Sequence, residues 1–580
     1  MSTNNTCPRA EHPNPQWERT NWKNLNGQWL FEIDNGQSGE ARKLYEAETL
    51  SSEITVPFCP ESSLSGIGNK DFMMCVWYKK VVSFTEDELC GKRVILHFGA
   101  ADFRTKLWVN GKKIGMDHIG GYGSFEYDIT SALVAGENML TVACYDDTRA
   151  PYQPRGKQSE LYYSHGCDYT RTTGIWQTVW YEIVPENYIK RADFYPDANN
   201  CTLTVGAELV GSGDLSAEVF FEGKKVGEAC KKSLSVIGQL EIALSEKHLW
   251  ELGDGKLYDI VLRFGADEVK SYFGLRTIEL KDGKFMFNGR SVFQRTILDQ
   301  GFYHDGIYTA PTDAALKRDI ELSMAAGFNG ARLHQKVFEP RFLYHADKLG
   351  YLVWGEYGSW GLDHSDIKNL STFLPDWTSI VKRDFNHPSI IGWCPFNETW
   401  EYGPQRKRQD NELIRTVYEQ TKLIDPTRPC IDTSGGIHVV TDIYDTHDYE
   451  QNPEVYRERY AALTEKNEFY DRFAPRQQWK GEPLFLSEYG GIGFALVGEK
   501  DGNKAWCYGN STQTYEEFYE RYRGLTHTLL DNPKIMGFCY TQLTDVEQEL
   551  NGLFFYETRE PKFDLAVLHE INTKKAAIED

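Results

Sequence analysis

Two acidic residues stand where apolar runs of this sequence surface. The first is Glu398, which follows Asn397 in the stretch Asn386–Trp400, whose middle, Ile390 to Phe396, is apolar and aromatic apart from Gly392 and Pro395. Such a run reads as a strand buried on both faces, the kind found in parallel sheets. The second is Glu488, ninety positions later, between Leu486-Ser487 and Tyr489-Gly490-Gly491, where glycines let backbone approach a ligand closely. Either residue could be an ordinary strand-end glutamate, or the partner of an arginine such as Arg332 or Arg295. If a fold brings both to one pocket, they are the equipment for cleaving a glycosidic bond. One carboxyl protonates the leaving oxygen and the other attacks the anomeric carbon. The attacking group must stay ionised, while the acid needs a raised pKa.

The elements around them must do that positioning. After Arg276 the chain alternates short apolar runs with helical patterns. Strands are expected at Ser291–Leu298, Phe328–Leu333, Tyr351–Gly355, Ile390–Phe396, Pro429–Asp432, Thr441–Tyr444, Leu484–Ser487 and Ile535–Tyr540. Helices are expected at Ala314–Ala326, capped by Thr312 or Asp313 and stopped by Gly327, and at Glu339–Leu349, Asn411–Ile424, Gln513–Asp531 and Leu565–Ala577. Eight strands alternating with helices predict a (β/α)8 TIM barrel over 278–580. Catalytic groups of such barrels lie at the C-terminal strand ends. Here those ends carry Asp299-Gln300, His334-Gln335, Glu356, Asn397-Glu398, Asp445 to Tyr449, Glu488 and Thr541-Gln542. Glu398 after the fourth strand and Glu488 after the seventh then face one another across the mouth.

Upstream the pattern is β. Runs such as Gln28–Ile33, Val76–Val82, Arg93–Phe98, Lys106–Val109 and Met139–Tyr145, with the hairpin signal Asn110-Gly111, predict a jelly-roll β-sandwich over 1–184. Its polar loop Asp146–Arg155 is long and rich in proline and aromatics; such loops are functional or pack on a neighbour. Alternating runs over 185–277 predict an immunoglobulin-like β-sandwich with no residue suited to catalysis, a spacer.

Composition excludes several classes. The formal net charge of −22 repels nucleic acid and anionic membrane. No apolar run is long enough for a membrane span, and the polar start Met1 to Trp17 lacks a signal core, so a cytoplasmic location is expected. Twelve dispersed cysteines without a CxxC pair argue against a disulfide framework or zinc site. Neither HExxH nor GxxxxGK[ST] is present.

The sequence resembles glycoside hydrolase family 2, the family of β-galactosidases, β-glucuronidases and β-mannosidases. The similarity rests on Asn386-His387-Pro388-Ser389-Ile390 running into Asn397-Glu398, and on Ser487-Glu488-Tyr489-Gly490. Val56-Pro57-Phe58-Cys59-Pro60-Glu61-Ser62, Trp108-Val109-Asn110-Gly111 and Gly174-Ile175-Trp176-Gln177-Thr178-Val179-Trp180 extend it over nearly the whole chain. The resemblance implies Glu398 as acid/base, Glu488 as nucleophile, and retention of configuration. It also implies that Asn397 bonds the sugar 2-hydroxyl and that a tyrosine after the sixth strand lies near the nucleophile: Tyr449, with Tyr444 second. His447, Asp299, Arg332, His334, Gln335 and Gln542 are expected to line the pocket, and Trp400 or Trp360 to offer a sugar platform. His387 either supports the site or is a buried structural residue.

Three departures from the family bear on the substrate. β-Glucuronidases carry an Asn-x-Lys-Gly carboxylate reader near the last strand, whereas this chain has Glu547-Gln548-Glu549-Leu550-Asn551-Gly552. The large β-galactosidases bind magnesium through Glu-x-His after the third strand, and Glu356-Tyr357-Gly358 lacks that pattern, so no metal and no cofactor is expected. Their Arg-x-Ser-His after the second strand is replaced by Arg332-Leu333-His334-Gln335. The leading expectation is an exo-acting retaining glycosidase on a terminal neutral sugar, a β-galactosidase first. A furanosidase (α-L-arabinofuranosidase or β-D-galactofuranosidase) comes second. A catalytically dead carbohydrate-binding protein is the alternative of another class. The partner expected is a glycoside or oligosaccharide; assembly into a homo-oligomer stays open.

Overall fold

The structure, a computed structural model, describes residues 7–496, 499–500 and 502–579; the first six residues of the polar opening stretch lie outside these. The chain starts with two antiparallel sheets facing one another. The larger runs Ser52–Val56, Gly27–Ile33, Cys75–Phe84, Gly136–Tyr145, Arg104–Val109, Lys112–Ile119. The smaller runs Trp22–Asn24, Val179–Pro185, Lys92–Phe98, Phe125–Asp128. Alternation sends Phe31, Tyr78, Leu107, Val142 and Leu96 into the layer between them, where all are fully buried.

A second β unit follows, built on the long strand Thr202–Phe221. Its first part pairs with Tyr188–Asp197 and its last part with Tyr258–Phe264, with Lys224–Ala243 alongside throughout. Bulges between Glu208 and Leu215 carry this one strand through a bend.

The remaining strands form the barrel: β1 Gln294–Asp299, β2 Gly330–Leu333, β3 Leu352–Glu356, β4 Ile390–Cys394, β5 Thr433–Ser434, β6 Tyr444–Asp448, β7 Leu484–Gly490 and β8 Ile535–Thr541. Seven of them form one parallel sheet in the order β4-β3-β2-β1-β8-β7-β6. β5 closes the ring: Phe396–Asn397, just beyond β4, pairs with it in parallel. The Asp445 carboxylate of β6 accepts from the Ser434 hydroxyl at 2.7 Å and the Gly435 N–H at 3.0 Å. Every β1, β7 and β8 residue is buried, as strands of a parallel sheet covered on both faces are. The barrel core also takes in Tyr122, Tyr169, Trp176 and Trp250 from the upstream units.

Among the described residues six helices separate the strands, α1 Asp313–Ala325, α2 Pro340–Leu349, α3 Leu370–Asp384, α4 Asn411–Ile424, α5 Pro453–Lys466 and α6 Tyr515–Leu530, and α7 Leu565–Asn572 follows β8. The Thr312 side chain caps α1 by accepting from Ala315 N–H. α2 begins with Pro340 and ends on Gly350 at φ 67°, a left-handed stop. Between β5 and β6 the chain passes without a helix. The fifth strand had been expected at Pro429–Asp432. Asp432 instead accepts from the Val439 and Val440 amides at 2.6 and 3.0 Å, which folds a turn, and only Cys430 bridges to Trp393 of β4. None of the helices is long and apolar enough to cross a membrane, among the described residues.

Candidate active site

Glu398 emerges just beyond β4 with φ 51°, a left-handed conformation that costs a non-glycine residue about 1–2 kcal/mol. Its amide donates to the Ser434 carbonyl at 2.9 Å, which holds that turn. Glu488 lies within β7, one residue further into the strand than its sequence pattern suggested. Between them stands His447 of β6. Its Nδ1 is 2.8 Å from Glu398 Oε1 and its Nε2 is 3.4 Å from Glu488 Oε1. One oxygen of each carboxyl and one ring nitrogen all lie within 4.8 Å of one another. That closeness matches the short spacing of retaining glycosidases, about 5–5.5 Å between carboxyls.

Arg332 of β2 is the hub beneath the pair. Its buried guanidinium donates to Glu356 at 2.5 Å, to Glu488 Oε1 at 2.8 Å, to the Ser487 carbonyl at 3.1 Å and to Asn397 Oδ1 at 2.6 Å. Arginine can only donate, so it fixes which way the Asn397 amide points. Asn397 Nδ2 is then left buried with no acceptor among the described residues, a donor free for a ligand. Glu356 is the counter-ion of this hub, since its other oxygen accepts from Gln335 N–H at 3.0 Å. His334 Nδ1 lies 3.0 Å from the same oxygen, and burial pushes that imidazole well below its usual range, so it is neutral. Gln335 faces away from the carboxyl pair. Its amide receives the Trp360 N–H at 3.0 Å and donates to the Ser359 hydroxyl at 3.3 Å, so it orders a loop.

The second oxygen of Glu488 accepts from the Tyr449 phenol, which also sits 3.0 Å from the Thr541 hydroxyl. Tyr508 stacks flat on Tyr449 at 3.4 Å between centroids. The space beside the Gly490-Gly491 backbone is taken by protein rather than left for a ligand: a Cβ at Gly491 would lie 2.2 Å from the Tyr508 ring, and one at Gly490 2.3 Å from Tyr540.

Burial pushes Glu398 up, but the hydrogen bond and charge of His447, with Lys157 and Arg472 further off, hold it below the usual carboxylate range. For His447, burial opposes the charge, and Glu488 and Glu398 together override it, so the imidazole is raised above its usual value. The two shifts run in the sense that favours the protonated imidazole beside an ionised Glu398, 2.8 Å away. Gly435 makes room for this ring: at φ 58°, a Cβ there would come within 2.3 Å of His447. Gly435→Ala should displace His447 and lower kcat by about 100-fold or more, read as turnover of an activated aryl glycoside beside a melting curve. Undiminished kcat would remove Gly435 as a determinant of the site.

A polar wall stands across from the pair. Gln542 is fully buried, accepting from Gln300 at 2.9 Å and donating to Asn551 at 2.7 Å. Asn551 donates to Glu549 at 3.0 Å, and the Tyr169 phenol donates to the other Glu549 oxygen. Glu547 instead turns outward to the Thr170 amide. Tyr169 and Thr170 belong to the long loop after Tyr145, which reaches the site by docking on the barrel: Arg155 N–H donates to the Trp360 carbonyl at 2.7 Å. The Trp360 indole in turn donates to the Asn397 carbonyl at 3.2 Å. A cleft of about 410 Å³ opens over Asn397 and Glu398, lined by Arg149, Arg155 and Glu160 of this loop and by Trp360 and Tyr402. Trp400 sits half-buried with its ring against Phe473 and under Arg472.

Besides Gln335, three expected residues lie elsewhere. Asp299 accepts from Gly301 N–H at 2.9 Å; burial and then Asp319 push it up to about 7, with Arg559 and Lys336 as its nearby cations. It faces that cluster and not the carboxyl pair, because the last residue of β1 points its side chain outward from the pocket. Tyr444 donates to Asp471, leaving the place beside Glu488 to Tyr449. His387 is structural: buried before β4, it bonds Asp347 at 2.5 Å, and Tyr272 of the second unit joins the same carboxylate at 2.8 Å. Arg295 pairs with Glu579. Sequence reasoning missed Ser434, Gly435, Tyr508 and Lys157, none of which sits in a motif; Glu549 was seen only as part of an acidic stretch.

Comparison with known proteins fits this arrangement. The family description "Glycosyl hydrolases family 2, TIM barrel domain" matches residues 278–574, and "Glycosyl hydrolases family 2, sugar binding domain" matches 67–181. A β-galactosidase of Thermoanaerobacter pseudethanolicus is 27% identical over 64% of this chain and 50% of its own length. A β-glucuronidase of Streptococcus agalactiae is 22% identical over 93% of this chain and 94% of its own. The structure of Bifidobacterium dentium β-glucuronidase complexed with coumarin-3-O-glucuronide superposes with a TM-score of 0.79 at 18% identity, covering 96% of this chain and 97% of that one. The chain spans about half the length of the first curated relatives it matches. It belongs to glycoside hydrolase family 2.

Proposed function

We propose that this chain is an exo-acting retaining glycosidase that removes a terminal neutral sugar, a β-galactoside first. The observation that carries the reaction class is the carboxyl pair: oxygens of Glu398 and Glu488 within 4.8 Å, joined through His447. Glu488, held by Arg332 and Tyr449, attacks the anomeric carbon while Glu398 delivers the proton of the His447 pair to the departing oxygen. Water then gives a proton back to Glu398 and attacks the same carbon, and the Glu488 ester bond breaks. The free Asn397 Nδ2 suits the sugar 2-hydroxyl, a contact that strengthens in the transition state. His334 and Gln542 line the pocket, Arg332 and Gln335 order it, and Trp400 with Trp360 flanks the leaving-group side. The soluble glycoside is the partner; no metal is assigned, because Glu356 is already taken as the counter-ion of Arg332.

Support for a neutral sugar comes from the far wall, where Glu549 and Asn551 occupy the stretch in which β-glucuronidases of the family carry their carboxylate reader. A β-glucuronoside is the second reading. It is favoured by the name of the S. agalactiae relative and by one buried cation, Lys157, on the long loop. A panel of p-nitrophenyl pyranosides and furanosides decides among these. The β-galactoside is expected to show the highest kcat/KM; preference for the β-glucuronide or for an arabinofuranoside would replace the sugar, and no turnover of any member would reject the reading.

A further inference from the structure

Three lysines of the described chain are buried: Lys79, Lys157 and Lys336. Two of them behave as buried ammonium groups must. Lys336 donates to the Gly301 and Tyr308 carbonyls at 2.5 and 2.7 Å, and Lys79 to the Thr141 hydroxyl at 3.1 Å. Lys157 is the exception. It is 5% exposed, yet among the described residues its Nζ makes no hydrogen bond and has no carboxylate oxygen within 4.0 Å. Its Nζ lies over the Trp360 ring, 4.1 Å from the centroid.

The backbone that carries Lys157 is tightly held. Its carbonyl accepts from Tyr169 N–H at 2.7 Å, and Gly156 N–H donates to the Gly358 carbonyl at 3.1 Å. Gly156 packs so closely that a Cβ would lie 2.2 Å from the Gln335 carbonyl oxygen. Trp360, the platform under the ammonium, is tied to the Asn397 carbonyl. Lys157 thus stands beside the Asn397-Glu398 turn on a rigid strap from the N-terminal unit. Burial works against its charge; Cys167 beside it is the strongest influence in favour of that charge, followed by the anionic field of Glu549, Asp168 and Glu488. Lys157 is likewise the strongest of the charges that hold Glu549 down against burial. The two feel each other without touching.

We propose that Lys157 is a specificity-determining residue that contacts the terminal sugar, donating to a hydroxyl oxygen whose hydrogen is accepted on the Glu549 side of the pocket. A donor and an acceptor facing one another across more than a direct contact are complementary to hydroxyl groups, which both give and take a hydrogen bond. A uronate fits less well, because Glu549 and Glu488 oppose a third negative charge in the same space. This inference rests on the neutral-sugar reading. It also makes the sugar pocket a composite, completed by the N-terminal unit.

The test uses the full chain, with Lys157→Met and Lys157→Gln assayed on p-nitrophenyl β-galactoside and its monodeoxy analogues. Lys157→Met should lower kcat/KM by about 100-fold without lowering the melting temperature, and Lys157→Gln, which keeps a donor, should fall between. On the one analogue that lacks the contacted hydroxyl, wild type and Lys157→Met should differ by less than about threefold. A loss of equal size on every analogue, or kcat/KM unchanged in Lys157→Met, overturns the proposal. Failure of the underlying reading is seen separately, in the wild type alone, as preference for the β-glucuronide over the β-galactoside.

Discussion

Glu488→Gln should lower kcat on an activated aryl β-glycoside by on the order of 10⁴-fold or more. The substitution keeps shape and an acceptor for Arg332 but removes the only oxygen anion placed to form the ester. Three neighbours hold the Glu488 carboxyl in place: Arg332 on Oε1, the Tyr449 phenol on Oε2, and His447 Nε2 at 3.4 Å. An amide cannot use the phenol donor and the guanidinium donor on both of its atoms, so one of the two must turn away. Removing one member of a buried ion pair costs about 3–5 kcal/mol when the other is stranded. Arg332 retains Glu356 at 2.5 Å, so a smaller fall in stability is expected, and folded protein should be recovered. Activity within tenfold of wild type would reject Glu488 as nucleophile. Glu488→Ala adds a stereochemical check. Azide can enter the vacated space below the sugar, and the product should be the glycosyl azide of inverted configuration.

The positions of both carboxylates were legible in the sequence because each follows a run too apolar to be anything but a buried parallel strand. The barrel followed from counting such runs. What lies between Glu398 and Glu488 was not legible. His447 was seen as one polar residue among five after the sixth strand, but β6 continues to Asp448, so alternation puts His447 between the two acids. The strand was misjudged because Asp445, Thr446 and His447 are polar, and their burial depends on partners from β5 and β7. The expectation that Glu398 has a raised pKa failed for the same reason: the imidazole that lowers it comes from another strand. α3 was hidden by Pro375 in its middle and α5 by its polar composition, although Asn452 with Pro453 is a proper helix start. The long loop after Tyr145 was noticed as a loop, yet its reach to Trp360 depends on domain packing, to which periodicity is blind.

Glu398→Ala should divide substrates by their leaving group. Where the departing oxygen needs a proton, kcat/KM should fall by about 10²–10⁴-fold; with a dinitrophenyl leaving group the first step should be nearly unaffected and the glycosyl-enzyme should accumulate. Azide should then restore turnover and give the glycosyl azide of retained configuration, opposite to the Glu488→Ala product. The same anomer from both variants would sink the division of roles. The pH profile carries a further expectation. The proton to be delivered belongs to the His447–Glu398 pair and resides on an imidazole raised above its ordinary value. Activity needs that proton, so it is present below the raised value and is lost as pH climbs through it. In Glu398→Ala no proton is delivered, and the alkaline limb of kcat/KM should flatten. On the proposed mechanism, the pair lets one residue serve as acid and then as base. Glu488 is the strongest of the charges that hold the proton on His447. Once Glu488 is esterified its charge is gone, and an imidazole that has passed its proton on through Glu398 has less cause to take another. Glu398 is then left as the anion that the incoming water requires.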